Sequence, residues 1–227
     1  MSDPEATLNP AQIREAGLDD WRQVLGRIKA RFRTGDFATG LKLVNLIGES
    51  AEQANHHPDV SLSYTDVIVA LASHDVDGIT SRDIDLAQQI SAHAKTLGVE
   101  ADVHGITQVE LGLDTATGDG SRLGEFYAAL LGGEIRNGEP VDPSGQVPTV
   151  WWQGPGEGER DEFSLPAQEF EQRWHLDVWV PHDEGERRLQ AALDAGGTLV
   201  SDKAAPSYWV IEDADGNRAC ICTPLDR

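Results

Sequence analysis

The chain has 227 residues, 39% of them hydrophobic, with 39 acidic side chains against 18 Lys and Arg. That length carries two cores rather than one small one. A formal net charge of -21 opposes non-specific binding to nucleic acid or to anionic membrane, since both need clustered cations.

Nor does any apolar run approach the roughly 20 residues that span a bilayer. The opening Met1-Ser2-Asp3-Pro4-Glu5 lacks the basic and apolar regions of a signal peptide, so a cytoplasmic protein is expected. Residues 1–16 are polar and helix-compatible, with Asn9-Pro10 as a start signal. From 24 to 33 the chain alternates strictly. Arg27, Lys29, Arg31 and Arg33 lie on one side, and Ile28, Ala30 and Phe32 on the other, which is the period of a half-buried strand. The cations are expected on a solvated sheet face; the alternative is a subunit contact or an anion-attracting surface.

Thr34-Gly35-Asp36 breaks that strand and offers Asp36 as a helix N-cap. Phe37, Leu41, Val44, Gly48 and Ala51 then recur at helical spacing, and the helix is expected to end near Asn55, because Pro58 disfavours helical geometry in the residue before it. Residues 62–73 read as a strand rich in Val, Ile and Tyr. Thr80-Ser81-Arg82-Asp83 matches a capping box, and the helix behind it runs through Ile84, Ala87, Ile90 and Ala94. Together with room for a strand near Trp21, this predicts an α+β domain over 1–98, an antiparallel sheet with helices on one face.

Residues 97–105 read as a linker or an edge strand. Beyond them the texture changes to Trp and Gly, and a weak repeat emerges. A strand at 108–114 leads to a helix at 121–131, paired glycines Gly132-Gly133 and a strand. A strand at 174–180 leads to a helix at 184–194, Gly196-Gly197 and a strand. Each copy ends in a Trp-bearing strand, at Trp151-Trp152 and at Trp209. Glycine at a helix C-terminus explains both junctions. A second domain over 104–227, made of paired βαβββ modules, is predicted, with 154–162 as a surface loop. Cys220 and Cys222 sit on its last strand; they are expected on opposite faces and therefore unpaired.

The chemistry concentrates in Glu52-Gln53-Ala54-Asn55-His56-His57-Pro58 and in His74. Histidine titrates nearest neutrality and can give and take protons at cytoplasmic pH. A helix ending at Asn55 presents His56 and His57 at its carbonyl end, which favours an imidazolium. Adjacent side chains on extended backbone point apart, so one of the pair can face a pocket while the other supports it. A strand ending at His74 brings a third imidazole near. Two or three such rings supply an acid and a base at one pH when their environments differ. The bland readings are that His-His-Pro is a capping and turn feature, that Asp83 is only the cap partner of Thr80, and that Glu52, one helical turn before His56, is a solvated charge rather than the group that orients that ring. A three-histidine zinc site is disfavoured, because adjacent histidines rarely ligate one ion.

The spacing of Glu52, His56-His57-Pro58, Tyr64, His74 and Asp83, with Phe32, Asp36-Phe37, Gly78-Ile79-Thr80 and Leu86-Ala87 around it, resembles the pterin-4a-carbinolamine dehydratases over about residues 8–97. That resemblance implies an α+β fold. It also implies dehydration of 4a-hydroxytetrahydropterin to quinonoid dihydropterin by histidine acid/base catalysis, with no cofactor and no metal. His56, His57 and His74 are then the catalytic candidates. Glu52, Asn55 and Asp83 are the candidates for orienting histidines or binding the pterin. The partner is a small-molecule pterin, not nucleic acid or membrane, and a homo-oligomer is expected. Val60 stands where many members carry an aromatic residue.

Residues 104–227 resemble the glyoxalase/bleomycin-resistance group, on the duplicated βαβββ order, the Gly-Gly junctions and Asp213-Ala214-Asp215-Gly216-Asn217 before the last strand. Enzymes of that group hold a divalent metal; the matching positions here are Gln108, His175 and Cys220, and Cys220 replaces the commoner carboxylate. Two competing readings remain: a pterin-like small-molecule binding protein, and a metal-dependent lyase or dioxygenase centred on the second half.

Overall fold

In the computed structural model the described residues are 6–115, 123–145, 147–154, 165–166, 171–214 and 216–226. The chain divides into two units, Met1–Ile106 and Thr107–Arg227. Among the described residues no helix is long and apolar enough to cross a membrane.

The first unit begins with α1 (Pro10–Glu15), capped by Asn9 in a reciprocal box with Gln12. A hairpin follows, β1 (Arg22–Val24) and β2 (Arg27–Arg33), turning at Leu25-Gly26 with both residues at positive φ. Ile28, Ala30 and Phe32 are fully buried, as their alternation requires. Then come α2 (Phe37–Ala54), β3 (Asp59–Leu62), β4 (Asp66–Leu71), α3 (Ser81–Thr96) and β5 (Glu100–Ala101). The antiparallel sheet runs β1-β2-β4-β3, with β5 also pairing with β2.

Three expectations change here. The strand expected over 62–73 is a hairpin: Ser63 N–H and Oγ–H both donate to the Asp66 carbonyl, and Asp59–Leu62 forms a separate strand beside Asp66–Leu71. The core face of α2 is also rotated. Gly40, Leu43, Ile47, Ser50 and Ala51 are buried, while Phe37 and Leu41 are about half exposed. Gly40 sets that rotation, since a Cβ there would meet Leu62 Cδ1 at 2.6 Å. Finally, the sheet cations are paired. Arg27 bonds to Asp59, Arg31 to Asp66 at 2.8 Å and Arg33 to Asp102 at 2.5 Å. Carboxylates of the same unit therefore take up much of the charge that an anion-attracting surface needs.

The second unit contains β6 (Gln108–Asp114), α4 (Gly124–Leu131), β7 (Glu134–Arg136), β8 (Glu139–Val141) and β9 (Thr149–Gln153). The same order recurs in β10 (Trp174–Trp179), α5 (Gly185–Asp194), β11 (Thr198–Ser201), β12 (Tyr208–Glu212) and β13 (Arg218–Cys222). The main sheet is β11-β12-β13-β10-β6-β9, and β7 with β8 forms a separate two-stranded sheet. Leu189 of α5 packs on Val180, Trp209 and Ile221. The loop expected at 154–162 and the helix start at 121–122 lie outside the described residues, apart from Gly154. Cys220 and Cys222 flank Ile221 on β13, so a period of two puts them on one face. That period corrects the expectation of opposite faces; the two cysteines are not joined in a disulfide.

Burial, and secondarily the neighbouring Arg27 charge, lowers the Lys29 ammonium from 10.5 to about 8. Between those values the unfolded chain holds a proton that the folded chain has lost, so stability rises with pH across that window. Below about pH 8 the folded state bears the cost of a poorly solvated ammonium. Lys29→Met is expected to raise the urea midpoint of the full chain at pH 7 and to flatten the stability gain between pH 7 and 10. Parallel pH profiles for the variant and the parent would count against this role.

Candidate active site

The C-terminus of α2 builds the first part of the site. Asn55 adopts the left-handed conformation, with φ 48 and ψ 40, which asparagine tolerates better than most residues. His56 N–H then donates to the Ala51 carbonyl and Asn55 N–H to that of Glu52, closing the helix in a Schellman motif. The chain leaves extended, and the two histidines part. His56 is buried, 8% exposed. His57 stays at the surface, with Nε2 3.2 Å from Glu52 Oε1. The expectation that Glu52 orients His56 is corrected by this geometry, since Glu52 bonds to the neighbouring ring.

His56 meets Asp83 instead, with Nε2 2.7 Å from Oδ1. Asp83 has no exposed surface. Its other oxygen, Oδ2, accepts from Thr80 N–H at 2.8 Å and from Ser73 Oγ–H at 2.8 Å. Ser73 Oγ lies 2.9 Å from Thr80 Oγ1. Asp83 is thus both the cap partner of Thr80 and the carboxylate that holds His56. A carboxylate only accepts hydrogen bonds, so His56 Nε2 carries the proton facing Asp83 and the lone pair of the neutral ring is on Nδ1.

His74 is not at a strand end. It is exposed in the turn over residues 73–78, where Ser73 N–H donates to the Gly78 carbonyl at 2.7 Å. Arg82 Nη2 reaches back to both oxygens of Asp75, at 2.8 and 3.0 Å. Those bonds are the main reason that the Asp75 carboxyl sits below its ordinary range. The turn that bears His74 is tied to His56 through Ser73 and Asp83. Sequence reasoning missed Ser73, Asp75 and Arg82; only the Thr80–Asp83 box pointed toward them.

Residues 6–93 match the family model described as pterin 4 alpha carbinolamine dehydratase. A protein of Thermosynechococcus vestitus named "Putative pterin-4-alpha-carbinolamine dehydratase" is 48% identical over 86 residues, covering 37% of this chain and 90% of that protein. This chain belongs to the pterin-4a-carbinolamine dehydratase family. A second relative of the same name, from Acidobacterium capsulatum, is 39% identical over 38% of this dehydratase-family chain and 97% of its own length. A solved structure titled as a transcriptional coactivator/pterin dehydratase from Brucella melitensis is 32% identical, with TM-score 0.38, covering 39% of this chain and 99% of that one. Residues 110–222 match a glyoxalase-like domain model.

The metal positions expected in that second unit do not converge. Gln108 pairs with Trp179 across the β6–β10 ladder, and His175 with Gly112. They stand four residues apart along β6, about 13 Å, too far to share one ion. The His175 ring lies over Gly112, where a Cβ would collide with it. Cys220 pairs with Asp177, two ladder positions from His175, whereas Gln108 is four positions away. Among the described residues, no group of three or more His, Cys, Asp or Glu is arranged to hold a metal. The donor positions do not fit a divalent ion.

Asp83→Ala removes the acceptor that His56, Ser73 and Thr80 share. It is expected to cost the first unit about 3–5 kcal/mol, as breaking a buried pair does, read from hydrogen exchange of the α3 amides in the full chain. A loss under about 1 kcal/mol, the scale of an exposed pair, would mean that solvent replaces the carboxylate.

Proposed function

We propose that the first unit dehydrates a 4a-hydroxytetrahydropterin to the quinonoid dihydropterin by histidine acid/base catalysis. The observation that carries this reading is the His56–Asp83 pair beside the His74 turn, in a chain that belongs to the dehydratase family. The reaction breaks the bond from ring carbon 4a to its hydroxyl oxygen. The hydroxyl takes a proton and leaves as water, the adjacent ring nitrogen loses a proton, and a carbon–nitrogen double bond forms. One proton is delivered and one removed, so the enzyme's total proton count is unchanged, and exchange with solvent returns the acid and the base to their starting states.

In this proposal His56 is the base. Asp83 holds its Nε2–H, leaves Nδ1 to accept the proton from the ring nitrogen, and stabilises the imidazolium that results. His74, exposed to an entering substrate, is the acid that protonates the departing hydroxyl. His57 assists, held by Glu52, and Asn55 closes the helix while remaining a pterin-binding candidate. Assigning 1–98 to the dehydratase and 104–227 to the glyoxalase-like domain belongs to the same proposal, as does a cytoplasmic homo-oligomer acting on a free pterin.

One observation favours a binding role for the second unit. A cavity of about 780 Å³ is lined by Leu111, Leu176, Ile211 and Ala219, together with Trp174 and Arg218. That volume falls within the range of small-molecule sites.

His74→Ala and His56→Gln are each expected to slow dehydration of a 4a-hydroxypterin at least about tenfold, the lower end for a positioned acid or base. Stopped-flow absorbance on the full chain measures this. A rate unchanged in His74→Ala removes His74 from the mechanism, and no catalysis by the parent chain removes the function.

A further inference from the structure

Arg82 is at the wrong end of its helix for helix stability. It is the second residue of α3, where the exposed N–H groups and the macrodipole disfavour a cation. Its guanidinium turns back out of the helix. Nη2 bonds to both oxygens of Asp75, and Nε donates to Thr80 Oγ1 at 3.3 Å. Asp75 directly follows His74 in the chain, and Ser73 directly precedes it. Ser73 is itself tied to Asp83, the group that holds His56. His74 thus stands between two anchored residues, and both anchors lead to the first turn of α3. The turn contains one further constraint, Asp77 at φ 49.

We propose that Arg82 is a positioning residue, which holds the His74 turn through Asp75 at a set distance from His56. The proposal rests on the dehydratase reading above for its kinetic consequence, but not for its structural one. Two groups that must act on one substrate need fixed separation, and small misplacements of a catalytic group cost large factors in rate. As a stabilising device the pair would add little, because Asp75 is half exposed and exposed ion pairs contribute weakly. A Lys at this position keeps the charge and a donor for Asp75 but loses the Nε–H that bonds to Thr80 Oγ1.

The test uses the full chain in two measurements. Imidazole spectra of isotope-labelled protein compare the parent with Arg82→Gln and, should that variant fold poorly, with Asp75→Asn. The His74 ring signals are expected to move or broaden, while those of His182 in the second unit stay in place. Unchanged His74 signals would overturn the clamp, whether or not the chain is a dehydratase. Stopped-flow dehydration should show kcat lowered about fivefold or more in Arg82→Gln with KM within about twofold, and partial recovery in Arg82→Lys. A loss of rate that only follows the fraction of unfolded protein would overturn the positioning role. A parent chain without activity would instead remove the dehydratase reading and leave the spectra to decide the clamp.

Discussion

A carboxylate with no exposed surface has to be satisfied by its neighbours, and in this chain that carboxylate is Asp83. An ionised group out of water costs several kcal/mol unless it is paired and hydrogen-bonded. Asp83 meets that demand with donors from three segments: the residue that follows the α2 cap, the residue that opens the turn after β4, and the cap of α3. The site exists because these segments converge on one side chain. Moving any of them leaves a buried charge or a buried donor unsatisfied.

The same convergence divides the labour between adjacent histidines. The left-handed Asn55 ends α2 abruptly, so His56 turns inward to Asp83 and His57 turns outward to Glu52. A buried ring with one nitrogen committed to a carboxylate has a defined tautomer. An exposed ring beside an exposed carboxylate is less constrained. His74 differs again, because its own side chain is exposed while both of its chain neighbours are anchored.

The second unit shows how a repeated fold can keep its architecture without keeping one chemistry. Both βαβββ copies are present, and the helix-Gly-Gly-strand junction recurs in each. Yet the sheet register sets Gln108 and His175 apart along the ladder. Fold and activity are separable in such domains, and here the described geometry offers a cavity more plainly than a metal centre.

The sequence by itself determined what depends on residues a few positions apart. Asn9-Pro10 opens a helix, the Thr80–Asp83 box opens another, and the alternation from Ile28 to Phe32 is the buried face of a strand. The shared face of Cys220 and Cys222 follows in the same way, from a period of two. Tertiary structure decided everything that needs a distant partner. Phe37 and Leu41 look like core at helical spacing, but the packing of Gly40 against Leu62 rotates them outward. Glu52 has the right spacing for His56 and bonds to His57. Ser73 and Arg82 carry no local mark of a functional residue, because their partners, Asp83 and Asp75, are brought to them only when a strand, a turn and a helix start pack together. Short-range order follows from backbone sterics and period, whereas a buried polar network is specified only once desolvation forces distant donors and acceptors to find one another.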